Sequence, residues 1–182
     1  MPAVHGDLAA SAIATESGIP ATITPRQVTL RDRVTVATLV PFPSADDVPQ
    51  PLLRYLSGQF NKEIEKGDTY AMTEPFPLAQ FGSYWFSHFG AIMLLGNIKT
   101  SDETYAMDRA GTDWARVCLG SFSVRPNYPG RSSHNCNAMF LVTDAARNRG
   151  VGRLMGEGYL EWAPKLVSYP IPGGCSLEYS DT

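Results

Sequence analysis

Residues 147–152 read Arg-Asn-Arg-Gly-Val-Gly, directly ahead of a segment with helical periodicity. Gly150 and Gly152 let the backbone wrap tightly with no side chain in the way. The amides of Asn148 through Gly152 can then converge on one point at the positive end of a helix, where a nearby anion gains about 0.3–1 kcal/mol. Arginines are poorly placed there unless an anion removes the conflict, so the pattern points to a small anionic ligand. A strand-to-helix turn with solubilising arginines would read the same, and spacing alone leaves both open. A second pair, His134 and Cys136, falls at i and i+2, one face of a strand. A histidine can activate a thiol, but Cys136 also reads as a small buried residue and His134 as a loop residue. His5 and His88 are too distant in sequence to complete a metal site with this pair, and no CxxC pair suggests zinc. Glu157 and Glu161 read as solvated helix charges, and no general base is identifiable.

The elements that must hold these residues follow from periodicity. In the helix after the loop, Val151, Leu154, Met155, Tyr159, Trp162 and Leu166 form one apolar face. Gly156 and Gly158 interrupt it at about 1 kcal/mol each, which suggests close approach by a sheet or a ligand. Pro164 is expected to kink or end the last turn. Upstream, 135–143 and 115–126 read as strands and 27–40 as one or two more. Leu53, Leu56, Phe60 and Ile64 share a helical face that stops at Lys66-Gly67. An aromatic segment holding Phe81, Tyr84, Trp85, Phe86 and Phe89 reads as a short helix feeding a buried strand, mostly core. Residues 97–114 read as a polar loop. The plan is α/β.

Composition narrows the function. A formal net charge of −3 with only 18% charged residues is wrong for a general nucleic-acid binder. No apolar run reaches the roughly 18 residues of a membrane span, and the N-terminus lacks a secretory pattern. Three widely spaced cysteines, Cys118, Cys136 and Cys175, make a poor disulfide framework and suit a reducing compartment. The expectation is a cytoplasmic protein, with the mitochondrion left open and with neither nucleic acid nor membrane as partner. Residues 1–24 read as a flexible leader, 25–167 as the domain and 168–182 as a separate tail.

Two resemblances give these parts a chemistry. R-x-x-G-x-G at 147–152, between a strand and an amphipathic helix, resembles the acetyl-CoA pyrophosphate loop of the GCN5-related N-acetyltransferase superfamily. Over roughly residues 50 to 167, "FNKEIEKGDTY", "YWFSHF", "LGSFSVRPNYPGRSSHNCNAMFLV" and "YLEWAPKL" are similar to the fungal N-acetyltransferases that act on the proline analogue azetidine-2-carboxylate. The resemblance implies a mixed, mostly antiparallel, splayed sheet flanked by helices. It implies transfer of acetyl from acetyl-CoA to a small amine or proline-like imino acid, in a homodimer. Arg147, Asn148, Arg149, Gly150, Val151 and Gly152 would hold the pyrophosphate, and Phe140, Leu141 and Val142 would line the pantetheine path. Asn137 would bind substrate, its main-chain amide toward the carboxylate, and Phe140 would lie against the substrate ring. Asn127 would stand near the acyl group.

The resemblance stops after Leu166, where "VSYPIPGGCSLEYSDT" replaces the family's further strands and helix. The expectation is a C-terminally truncated domain, with an inactive binding or dimerising fragment as the alternative to a working enzyme.

Overall fold

A computed structural model describes residues 19–127 and 135–167. Five strands lie in chain order, β1 (Arg26–Thr29), β2 (Val36–Phe42), β3 (Phe89–Leu95), β4 (Cys118–Pro126) and β5 (Cys136–Val142), and every neighbouring pair is antiparallel. Helices α1 (Gln50–Lys66) and α2 (Leu78–Trp85) cover one face, and α5 (Val151–Val167) covers the other. Two short helices, α3 (Asp102–Arg109) and α4 (Trp114–Val117), connect β3 to β4.

The sequence dictates these layers. Strands β2 and β3 are nearly unbroken apolar runs because both their faces are covered. In α1, Leu52, Leu56 and Phe60 are fully buried on one stripe, and Gly67 ends the helix at φ 75° with its N–H on the Ile64 carbonyl. On the other face, Val151, Met155 and Trp162 of α5 pack with Leu39, Phe89 and Phe122 of the sheet. The leader reading does not extend to Ile23, which is 4% exposed and packs in that same cluster.

Three expectations are corrected. The polar segment after β3 is not a loop throughout, because 102–109 is α3. Its acidic first turn (Asp102, Glu103) and terminal Arg109 suit the helix dipole, while only Thr104 is buried, so no apolar stripe announced it. Pro164, expected to kink or end the last turn, stands inside α5 and does not end it at once, since the helix runs on to Val167, the last described residue. Trp162, Ala163 and Leu166 around it are at most 2% exposed. Burying side chains of the Leu and Trp class contributes about 1.5–3 kcal/mol each, enough to offset a proline's cost of about 3 kcal/mol. Finally, Cys136 is disulfide-bonded, so it offers no free thiol, whereas Cys118 is free and buried. Sequence distance carried no information on whether Cys136 would meet another cysteine. His134, Cys175, the leader to residue 18 and the tail from 168 lie outside the described residues.

Candidate coenzyme and acceptor site

The site begins with the register of β5. Thr143 N–H donates to the Leu119 carbonyl and Asn127 N–H to the Asn135 carbonyl. With Phe140 opposite Phe122 and no register shift, the odd-numbered residues of β5 face β4. The N–H and C=O groups of Ala138, Phe140 and Val142 therefore face the outer edge, where no strand pairs among the described residues. The Phe140 carbonyl there accepts a 2.9 Å bond from the Tyr70 hydroxyl. Burial, then the charge of Glu63, pushes the Tyr70 phenol up, so it stays a donor.

That edge runs into the turn foreseen at 147–152. Asn148 (φ 63°) and Gly150 (φ 81°) are both left-handed, a conformation tolerated by asparagine and natural for glycine. Alternation of this kind gathers successive N–H groups into an anion-binding concavity. The first helical bond runs from Leu154 N–H to the Gly150 carbonyl. Among the described residues, the amides of Asn148 through Arg153 find no acceptor. They open onto a cavity of about 540 Å³ lined by Val142, Arg147, Asn148, Gly150, Val151 and Gly152. A Cβ added at Gly152 would meet only Val142 Cγ2, at an ordinary 3.6 Å. The fold itself does not need glycine there, so its smallness is left for something entering the cavity. The turn is braced by Arg31, whose N–H donates to the Arg149 carbonyl. Next to Arg31, Asp32 is held down to about 2 by bonds from the Thr35 hydroxyl and the Val34 and Thr35 amides.

The two arginines of the turn differ. Arg147 Nη2 donates to Glu63 Oε1 at 2.6 Å, and its Nε lies 3.5 Å from Asp144. Glu63 also takes Lys66 at 2.6 Å. Burial alone would raise the Glu63 carboxyl, but its bonds from Lys66 and Arg147 outweigh burial and hold it below the usual carboxylate value. Gln59, one turn earlier in α1, accepts from the Asp144 N–H at 3.1 Å. Arg147 thus ties the turn to α1, while half-buried Arg149 has no carboxylate in ion-pair range among the described residues.

The other expected residues separate. Val142 joins the cavity. Leu141 points its backbone at β4 and its side chain into the α1–α2 core, so it exposes nothing to a ligand. The Phe140 ring packs toward α5, 5.8 Å from Tyr159 and 5.6 Å from Phe122. Asn137, three residues earlier, places its side chain on the opposite face of the sheet. Its main-chain amide faces Arg125 in the β4 ladder, which corrects its assignment to a substrate carboxylate; Ala138 carries the free amide. Asn127 is exposed at the end of β4, its N–H tied to Asn135. Glu157 and Glu161 are surface charges as expected, paired with Arg26, Arg153 and Lys165.

The chain's architecture and 25% sequence identity match the solved structure of a GCN5-related N-acetyltransferase from Kribbella flavida, with a TM-score of 0.50 over 70% of this chain and 66% of that one. The fold is that of the GCN5-related N-acetyltransferases. The chain is also 35% identical to the N-acetyltransferase aca1 of Schizosaccharomyces pombe over 117 residues, 64% of this chain and 56% of that protein. It is 33% identical to Protein SPT10 of Saccharomyces cerevisiae over 192 residues, 86% of this chain but 30% of that protein. The chain therefore spans only part of the length of both relatives. No family model matches it. Within the N-acetyltransferase fold, the edge of β5 and the turn before α5 form one line of backbone donors. Sequence reading located the turn but missed Tyr70, Gln59 and Glu63. Each acts across about 70 or more residues of chain, and no local spacing signals such a contact.

Proposed function

We propose that the protein is an acetyl-CoA-dependent N-acetyltransferase whose acceptor is a small amine or proline-like imino acid. The observation that carries the reading is the run of backbone N–H groups without acceptors among the described residues, along Ala138, Phe140 and Val142 of the strand edge and then from Asn148 to Arg153 beside a cavity that Val142 also lines. A diphosphate suits the turn, because left-handed Asn148 and Gly150 gather its amides. The edge of β5 suits an arm that carries amides, because it offers alternating donors and acceptors.

Bound acetyl-CoA supplies a thioester carbonyl activated for acyl transfer. The residues of this chain hold and orient it. Helix α1 fixes Asp144 and Arg147 through Gln59 and Glu63, so the turn is shaped before a ligand arrives. Tyr70 pins the Phe140 peptide at the edge, leaving backbone N–H groups to face a developing oxyanion. The acceptor reacts as its free amine: the C–N bond forms, the C–S bond breaks and the nitrogen's proton passes to water.

Acceptor-dependent thiol release tests the reading, with azetidine-2-carboxylate, other proline analogues and simple amines offered in turn. Release with at least one acceptor is expected. Gly152→Ala should keep the melting temperature and weaken acetyl-CoA binding about tenfold, near 1.4 kcal/mol. No acceptor-dependent release from any of them would overturn the proposal.

A further inference from the structure

Arg125 stands on β4 with Asn137 directly opposite on β5. Residues facing each other in this way present their side chains on the same side of the sheet, here the α2 side. Tyr84 of α2 fixes the guanidinium twice. Its hydroxyl accepts from Arg125 Nη2 at 2.8 Å, and its ring lies 4.3 Å beneath the guanidinium carbon. The Tyr84 hydroxyl in turn donates to Met139 Sδ at 3.3 Å, which fixes the ring against β5.

The guanidinium is aimed but not neutralised. Arg125 is half-buried, and among the described residues no carboxylate lies within ion-pair range of it. His88 adds no negative charge: burial, then the charge of Arg125, keeps its imidazole below the ordinary histidine value and so neutral at pH 7. Taking a cation partly out of water without an anion is costly, and a single phenol uses only one of five donors. Half-buried Arg26 is paired with Glu161. Half-buried Arg149, at the turn assigned to the diphosphate, likewise has no carboxylate within ion-pair range among the described residues, although its charge helps to lower the Asp32 carboxyl. Exposed Asn137, beside Arg125, adds an amide that can donate or accept.

We infer that Arg125 and Asn137 form a carboxylate-binding subsite, with Arg125 anchoring the acid group of an amino- or imino-acid acceptor. The inference rests on the transferase reading and narrows it from amines in general to acceptors that carry a carboxylate. It also gives that carboxylate a partner in place of the Asn137 backbone amide, which the β4 ladder occupies. Tyr84 is a positioning residue.

The test compares azetidine-2-carboxylate with its carboxamide, using acetyl-CoA-dependent transfer by the unaltered protein and by Arg125→Gln and Arg125→Lys. With every KM reckoned on the free-amine form of the acceptor, the unaltered protein should show a KM for the carboxylate lower than for the carboxamide by about 10- to 100-fold, the worth of one charge-assisted hydrogen bond. Arg125→Gln should erase that preference by raising the KM for the carboxylate far more than the KM for the carboxamide, and Arg125→Lys should restore part of it. Equal KM values in the unaltered protein would overturn the anchor and leave the transferase standing, and this comparison needs no variant to fold. A rise of both KM values alike in Arg125→Gln would do the same. Absence of transfer to any acceptor would sink the transferase reading itself, and the anchor with it.

Discussion

At the scale of single residues, two backbone positions and one ion pair decide the turn. Gly150 is left-handed at φ 81°, so Gly150→Ala is expected to lose about 1–2 kcal/mol in denaturant unfolding as well as coenzyme affinity. Gly152→Ala separates the two effects, because its Cβ has room in the fold. Glu63 supplies a pH signature. Its carboxyl sits below its ordinary value in the folded state, so its contribution to stability is fully present above the unfolded value of about 4.3. It is lost as pH falls through the depressed folded value. Unfolding of the unaltered protein and Glu63→Gln should therefore differ most near neutral pH and converge in acid. A difference that grew on acidification would contradict the account. None of this pairing was legible in the sequence, since Glu63 and Arg147 lie 84 residues apart, whereas the glycines announced their own role.

At the scale of elements, α5 must lie close to the sheet for its first turn to meet the edge of β5. Its two interior glycines answer different needs. A Cβ at Gly158 would fall 2.3 Å from Leu39 Cδ2, whereas one at Gly156 would meet nothing within 4 Å. Gly158→Ala is therefore expected to destabilise by about 1–3 kcal/mol through overpacking. Gly156→Ala should stabilise by about 0.5–1 kcal/mol, because alanine restricts the unfolded chain and favours the helix. Thermal unfolding of the two variants checks the opposite signs. The sequence showed two glycines in an apolar face and left open what approached them; Leu39 is the answer at Gly158. Strands and long helices were legible because burial imposes a period on them. α3 was not, since a helix with one buried residue carries charges at its ends and no stripe. Pro164 misled for a related reason, since the packing that holds its turn depends on sheet residues far along the chain.

At the scale of the whole molecule, three layers bring to one sheet two half-buried arginines with no carboxylate in ion-pair range among the described residues. Arg149 sits at the turn before α5, and Arg125 sits where β4 and β5 leave toward residues 128–134. Between them runs the outer edge of β5, so a ligand with a diphosphate at one end and an acceptor carboxylate beyond its other end would lie along a single strand. Among the described residues no helix is long and apolar enough to cross a membrane. Binding along this edge links α1, β5 and α5. Acetyl-CoA at 100 times its dissociation constant should therefore add about 2.7 kcal/mol to unfolding. The most direct measurement is a backbone amide NMR titration with acetyl-CoA. The account requires the largest shifts at Asn148 through Arg153 and at Ala138, Phe140 and Val142, with the β4-facing amides of Met139 and Leu141 moving less. Saturable binding that left the amides of 148–153 unmoved would contradict it.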